Sequence, residues 1–408
     1  MIPGTPGFIG ERLREAREAR GLTAIALADL VGVTRQAISH YESTKSPRPE
    51  IMQKISEVLG LPESFFRRRI IRSETGTVFY RSMSSATKAS RLRAEKRFGW
   101  LMEIAEYLQA YFEYPPVNFP QFSLPDQPVK ISTDQIEDIA LQTRLFWNLG
   151  DGPIGNMVSL LENNGAIIFR DELGADTLDA FSAFSSKGIP YICLGSDKAV
   201  CVRSRFDAGH ELGHLILHRT VNKSLLTKQT EFRLLEEQAH RFASAFLFPS
   251  QSFAMEFYSA SLDTFKVLKP KWKVSIAMMI KRASELELVS PEQAKRLWIA
   301  YTRRKWRNAE PLDDELEIEY PKLMKRSIEL LINQKIKTPE DILHQLPFNP
   351  HDIEVLVGST GSLTSKVAEN DPPLRVKKFP DRSRSNIPSI SNKPGEVLKF
   401  PDKNKPKV

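Results

Sequence analysis

Cysteine is nearly absent from this chain: Cys193 and Cys201 are the only two in 408 residues. Their spacing is neither C-x-x-C nor part of a longer framework, which excludes a disulfide-stapled fold and a thiolate zinc cage. Both read as small buried hydrophobes in a reducing, cytoplasmic setting. No apolar run approaches the roughly 18 residues that a membrane-spanning helix needs. The opening stretch MIPGTPGFIGERLREAR lacks a basic start followed by an apolar core, so no signal peptide is expected. Histidine is scarce as well, at 7. What remains is the composition of a soluble globular chain, 41% hydrophobic and 26% charged, long enough for two or three domains. The net charge of +8 is unevenly spread: residues 1–72 carry +4, residues 361–408 carry +6, and the middle is near −2. A basic surplus at the two ends favours an acidic partner such as nucleic acid there.

Three of the few histidines fall in residues 207–218, DAGHELGHLILH. A chance H-E-x-x-H is expected roughly 0.01 times in a chain of this composition, so the motif is a strong signal. Residues four apart on a helix sit one above the other, so His210 and His214 can offer two imidazole nitrogens to one metal ion. Glu211 lies beside them, placed to take a proton from a water. Leu212, Leu215 and Ile216 give the helix an apolar side to bury.

Catalytic zinc normally takes a third protein ligand. His218 continues the series, but eight residues rotate a helix by about 40° and climb about 12 Å, too far for one ion. No glycine follows His214 to bend the chain back. A better source is LLEEQAHRFASAFLFP, where Leu235, Ala239, Phe242, Ala243 and Phe246 form a helical stripe. Glu236 and His240 lie four apart on an adjoining face, and Glu236 is preferred to Glu237, which reads as a solvated carboxylate. His240 is either a partner of a ligand carboxylate or a packed side chain. A His-His-Glu set with an open position favours zinc, one Zn2+ per chain. These two blocks, HELGHLILH and then Glu236, Ala239, His240, Phe242, Ala243 and Pro249, resemble the ImmA/IrrE family of zinc metallopeptidases over about residues 135–360. The resemblance implies Glu236 as third ligand and a repressor-type protein as substrate.

The N-terminal region carries a second pattern. Residues 8–20 read as an amphipathic helix ended by Gly21. Thr23 caps a helix through Leu30, Gly32 makes a turn, and Thr34 caps a third helix over residues 35–41. A fourth helix, residues 50–59, ends at Gly60, and five short helices are expected in all. LADLVGVTRQAISHYES places Ala28 at a helix crossing and Val33 and Ile38 in the core. This resembles the Cro/repressor (XRE) helix-turn-helix family over residues 8–66. The resemblance implies that the third helix enters the major groove of double-stranded DNA. Arg35, Gln36 and Ser39 would then face bases, with Thr34, His40, Thr44 and Lys45 on phosphates. Ala24 stands where this family often has Gln, which removes a usual phosphate anchor. One such module has a small footprint, so a homodimer on a two-fold site is expected.

Between these regions, RRRIIR at residues 67–72 reads as a basic hinge. A long helix is expected over residues 90–112, its stripe suited to a core or a dimer seam, and residues 114–128 read as a Pro-rich extended stretch. Helices are expected over residues 133–149 and 154–163. Short strands follow at residues 166–169, 180–184 and 191–194, broken by Gly174, Gly188 and Gly195. Residues 251–357 look helical, with helices at 275–285, 291–306, 321–332 and 339–346. Beyond residue 361 Pro, Ser, Lys and Asn dominate and the tail reads as disordered, with VKKFPDR recurring as VLKFPDK around Phe379 and Phe400. The fold class expected is mainly α, with a small α+β metallopeptidase domain, an all-α N-terminal domain and a helical C-terminal part. The expected divisions are 1–66, 67–130, 131–260, 261–360 and 361–408.

Two functions follow from these residues. One is a DNA-binding transcriptional regulator with a zinc endopeptidase that cuts a repressor-type protein. The other is a non-catalytic, sensor or antitoxin-like regulator whose peptidase-like domain binds a ligand or partner. Both need the third helix to read DNA. Arg35→Ala is expected to relax sequence preference and cost about 1–3 kcal/mol on the specific site. Binding titrations on specific and random duplexes check this; equal losses on both would reduce Arg35 to a phosphate contact.

Overall fold

The computed structural model describes residues 4–70, 79–80, 87–125, 127, 130–173, 179–196, 200–221, 228–363 and 397–398. The chain opens with α1 (Gly10–Ala19), α2 (Ala24–Val31), α3 (Arg35–Tyr41) and α4 (Pro49–Leu59). The fifth short helix expected here is a 3-10 turn, Glu63–Arg67. The Thr23 hydroxyl accepts from the Ala26 N–H at 3.1 Å, and Thr34 accepts from Ala37 at 3.2 Å. Each thereby satisfies a donor that a helix start leaves open. Gly32 closes α2 with φ +76°, a left-handed conformation that side chains resist.

Strand β1 (Phe79–Tyr80) precedes α5 (Lys88–Gln109), β2 (Gln121–Phe122), α6 (Thr133–Phe146) and α7 (Met157–Asn163). The sheet strands β3 (Ile167–Asp171), β4 (Ala180–Phe184) and β5 (Pro190–Gly195) lie where short apolar runs were expected. The metal-motif helix α8 (Cys201–Leu217) and its partner α9 (Gln229–Leu247) follow. Then come α10 (Ser250–Glu256), α11 (Leu262–Trp272), α12 (Ile276–Glu285), α13 (Pro291–Arg303), α14 (Leu323–Asn333), α15 (Pro339–Gln345), α16 (Pro350–Val357) and β6 (Val397–Leu398). Helices α10, α11 and α16 were not separately expected. None of the described helices is long and apolar enough to cross a membrane. Most of the basic tail, with Phe379 and Phe400, lies outside the described residues, as do Gly174 and residues 71–72. Within the tail, β6 pairs in parallel with β2.

The sheet runs in the order β1-β4-β5-β3. β3 and β5 are parallel, while β4 is antiparallel to both β5 and β1. Strands alternate sides, so each sends side chains to two cores. Ile167, Phe169, Phe181, Tyr191 and Cys193 face one core, while Ile168, Ala180, Ile192 and Leu194 face the other. Both faces are covered, which explains why these strands read as unbroken apolar runs.

The first core extends well beyond the sheet. It joins the four N-terminal helices to α5, α14, α15 and α16 through Leu13, Phe65, Trp100, Leu101, Ile328 and Phe348. Helix α5, expected as a core or seam stripe, is buried here. Charges are enclosed with it. Arg20, at the end of α1, clasps both oxygens of Asp352 on α16 at 2.8 and 2.6 Å. Arg97 on α5 donates to the same Asp352 at 2.9 Å and to Asp171 on β3 at 2.5 Å. Burial alone would raise the Asp352 carboxyl, but Arg20 and Arg97 outweigh it and hold it below its ordinary 3.8. For Asp171, burial wins over Arg97 and the carboxyl is raised.

Removing one partner of such a cluster leaves a buried cation short of its counter-ion. Asp352→Ala is expected to destabilise the fold by about 3–5 kcal/mol in urea unfolding at neutral pH. Because the carboxyl titrates below 3.8 in the folded state, its contribution is present above 3.8 and is lost below it, as pH falls through the lowered folded-state value. The gap between variant and wild type is therefore expected to close in acid.

Candidate metal centre

Helix α8 is clamped before it supplies any chemistry. Arg205 pairs with Glu319, whose other oxygen accepts from the Met157 N–H at 2.7 Å at the start of α7. Arg205 also donates to the Ile154 carbonyl at 2.7 Å. Two glycines on α8 face α9. A methyl on Gly213 would meet the Ala239 Cα at 3.1 Å and the Phe242 ring at 3.2 Å, so the helices cross where only a hydrogen fits well. At Gly209 the nearest neighbour, the Ala243 Cβ, would be at an ordinary 3.5 Å. This crossing brings Glu236 of α9 against the histidines of α8.

The result is a three-donor cluster of His210, His214 and Glu236, with one ligating atom from each within 4.8 Å of the others. The Nε2 atoms of His210 and His214 are 3.0 Å apart. His214 Nε2 lies 3.1 Å from Glu236 Oε1, and His210 Nε2 lies 3.4 Å from Glu236 Oε2. Zinc bonds of about 2.0–2.1 Å in tetrahedral array set donors about 3.3 Å apart, so the spacing suits such an ion. Two imidazoles and one carboxylate are also the donor set that suits it chemically. His210, Glu211 and His214 are fully buried, and of the three donors only Glu236 retains any exposure, at 9%.

Glu211 is held from the sheet. Ser182 sits on β4, on the face turned to α8, and its hydroxyl donates to Glu211 Oε2 at 2.6 Å. Sequence reading did not single out Ser182. The alternation of β4 places it on that face, but only the three-dimensional packing puts Glu211 opposite. The strand β1 covers the outer edge of β4, with Phe79 across from Ser182.

His218, too far along the helix to share the cluster, touches it through His214. The two Nδ1 atoms are 2.9 Å apart, and His218 Nε2 meets Gln238 Oε1 at 2.9 Å. Burial and the neighbouring His214 push the His218 imidazole down to about 3, against the pull of Gln238. His240 lies beside the cluster, its ring 4.5 Å from that of His210 and 5.4 Å from that of Phe206. Gln238 was not anticipated either, since nothing in its local spacing marks it.

In the N-terminal helices, Thr34, Arg35, Gln36, Ser39, His40 and Lys45 are all exposed, while Ile38 of the same helix as Arg35 is buried. Helix α3 thus presents one polar face outward. Glu42, after its last turn, is pinned by Arg17 at 2.5 Å.

The glycine contacts predict a contrast within α8. Gly213→Val is expected to push α9 away and abolish metal uptake. Gly209→Ala is expected to keep it and to stabilise the helix by about 0.5–1 kcal/mol. Metal content and thermal melting of the two purified variants check both.

Comparison with known proteins matches two stretches of the chain. Residues 13–66 match the family model described as helix-turn-helix. Residues 162–284 match the model described as IrrE N-terminal-like domain, a span that runs from the end of α7 through α12 and contains all three residues of the cluster and Glu211. A curated relative, the SPbeta prophage-derived uncharacterized HTH-type transcriptional regulator YonR of Bacillus subtilis (strain 168), is 37% identical over 59 residues. That alignment takes in 14% of this chain and 55% of the relative, so the chain spans about half the length of the curated relative it matches. The chain therefore joins an XRE-type helix-turn-helix DNA-binding domain to an IrrE/ImmA-like peptidase domain in one polypeptide.

Proposed function

We propose that this protein is a DNA-binding transcriptional regulator whose second domain is a zinc endopeptidase acting on a repressor-type protein. The observation that carries the proposal is the convergence of His210, His214 and Glu236 with Glu211 held beside them by Ser182. A bound zinc ion would supply the Lewis acid that polarises a peptide carbonyl and makes water acidic. Glu211 then accepts the water's proton and returns it to the leaving amine. The Ser182 hydroxyl holds one carboxylate oxygen of Glu211 in place during this exchange. An extended substrate would add to the sheet beside the site by taking the place of β1 on β4.

The DNA end works through α3. Arg35, Gln36 and Ser39 read base edges, and Thr34, His40 and Lys45 meet phosphates, with two chains binding a two-fold site. The name of the relative, an HTH-type transcriptional regulator, supports a regulatory role for this end.

One observation favours a second reading. His210, Glu211 and His214 are all at 0% exposure, and of the cluster only Glu236 meets solvent, at 9%. A sensor that binds its ion permanently would look the same. Metal analysis and one variant separate the cases. Purified wild type is expected to hold about one zinc per chain and His210→Ala none, by elemental mass spectrometry. Glu211→Gln is expected to keep its zinc and lose regulatory function in cells. Retained function in that variant would favour the sensor, and no zinc in wild type after reconstitution would overturn both uses of the site.

A further inference from the structure

Phe184 ends strand β4 on the face turned to α8. Ala180, Ser182 and Phe184 alternate onto that face, while Phe181 and Ala183 point to the other core. Ser182 and Phe184 are therefore neighbours on one face, about 7 Å apart along the strand. Ser182 holds Glu211. Phe184 meets a charge instead: the guanidinium carbon of Arg219 stands 4.7 Å from its ring centroid. Arg219 is the second residue after α8 ends at Leu217, so the helix that carries the two histidines also delivers this cation to the end of β4. Arg219 is exposed, and among the described residues no carboxylate pairs with it. Arg203, near the start of the same helix, differs: it clasps both oxygens of Asp179 at 2.8 and 2.9 Å. The Phe184 ring attracts a guanidinium through its quadrupole but offers no lone pair, so the N–H fork of Arg219 keeps its capacity for a carboxylate.

The pairing of β1 defines how a strand lies on this edge. It runs antiparallel to β4, with Phe79 opposite Ser182 and Tyr80 opposite Phe181. Directly opposed residues of an antiparallel pair send their side chains to the same face. A polypeptide in that register puts the residue two positions before the one facing Ser182 opposite Phe184. Its side chain then lies on the face where Arg219 stands. We propose that Phe184 and Arg219 form a subsite for an acidic side chain of an extended polypeptide seated on β4, two positions toward its N-terminus from the residue facing Ser182. The carboxylate accepts N–H bonds from the guanidinium, and the Phe184 ring holds the guanidinium in place. The subsite deepens the endopeptidase reading above and rests on its strand-addition mode; recognition itself needs no turnover.

The test uses the full chain loaded with zinc and a mixture of random-sequence decapeptides, with products read by mass spectrometry. Wild type is expected to favour Asp or Glu at one fixed position relative to the cut, by about 10-fold in kcat/KM over Asn or Gln there. Arg219→Gln should lose this preference and cleave neutral peptides as before. Arg219→Glu should turn it toward Lys and Arg at the same position; a role in covering Phe184 alone would give no such reversal. Recognition is read separately by passing the mixture over immobilised Glu211→Gln protein, with and without Arg219→Glu. The first is expected to retain acidic peptides and the second basic ones. Arg219 is exposed, so its variants should melt as wild type does, and the wild-type preference is decisive by itself. Cleavage indifferent to charge at every position would overturn the subsite and leave the peptidase standing. Charge-selective retention without cleavage by wild type would keep the subsite and overturn the peptidase. If no peptide is either cut or retained, both fall.

Discussion

The crossing of α8 and α9 at Gly213 governs the centre of this molecule. Two histidines four apart on a helix need only local geometry to share a face. The third donor belongs to another helix, and a carboxylate side chain reaches the pair only if the two backbones come close. A hydrogen in place of a side chain at Gly213 permits that approach against Ala239 and Phe242. Everything else near the cluster is arranged around it. Glu319 and Arg205 hold the start of α8, Ser182 fixes Glu211 from the sheet side, and Gln238 reaches His218 from α9.

The same distinction between local and remote causes explains what the sequence made legible. H-E-x-x-H, the caps at Thr23 and Thr34, the closing Gly32 and the three sheet strands depend on residues within a turn or two of one another. Their patterns survive in one dimension, and the structure places them where the patterns indicated. Glu236 was legible because its helix stripe could be read and because the spacing resembled a family. Ser182 and Gln238 were not. Each is an ordinary polar residue on a regular element, and its partner lies about 20 to 30 residues away. Asp352 was still further out of reach, since its partners Arg20 and Arg97 are separated from it by 332 and 255 positions. Helices α10, α11 and α16 lie in a stretch recognised only as generally helical, where short amphipathic segments follow closely and their boundaries blur.

The first core raises a different issue, that of cooperation between the two ends. Helix α5 sits between the helix-turn-helix and the inner face of the sheet whose other face carries α8. Buried aromatic rings, Trp100 against Phe65 and Phe348, and the Arg20–Asp352–Arg97–Asp171 chain stitch these layers together. A buried ionic chain of this kind contributes little net stability compared with apolar packing. It does demand one register, because each charge has its counter-ion only when α1, α5, α16 and β3 are seated together.

That seating bears on where the peptidase domain can work. A catalytic domain on a flexible tether sweeps a volume set by its linker, and its effective concentration at any point nearby falls with the reach it is allowed. Here the helix proposed to read DNA and the sheet beneath the three-donor cluster share a core, so there is little sweep. Once α3 is seated in a groove, the direction and distance from the duplex to His210 are set by the fold. A protein bound at a neighbouring site would be met in one orientation, or missed, according to its phase on the DNA helix. Spacing along the duplex would then act as a selector of partners, independent of any sequence the peptidase centre itself prefers.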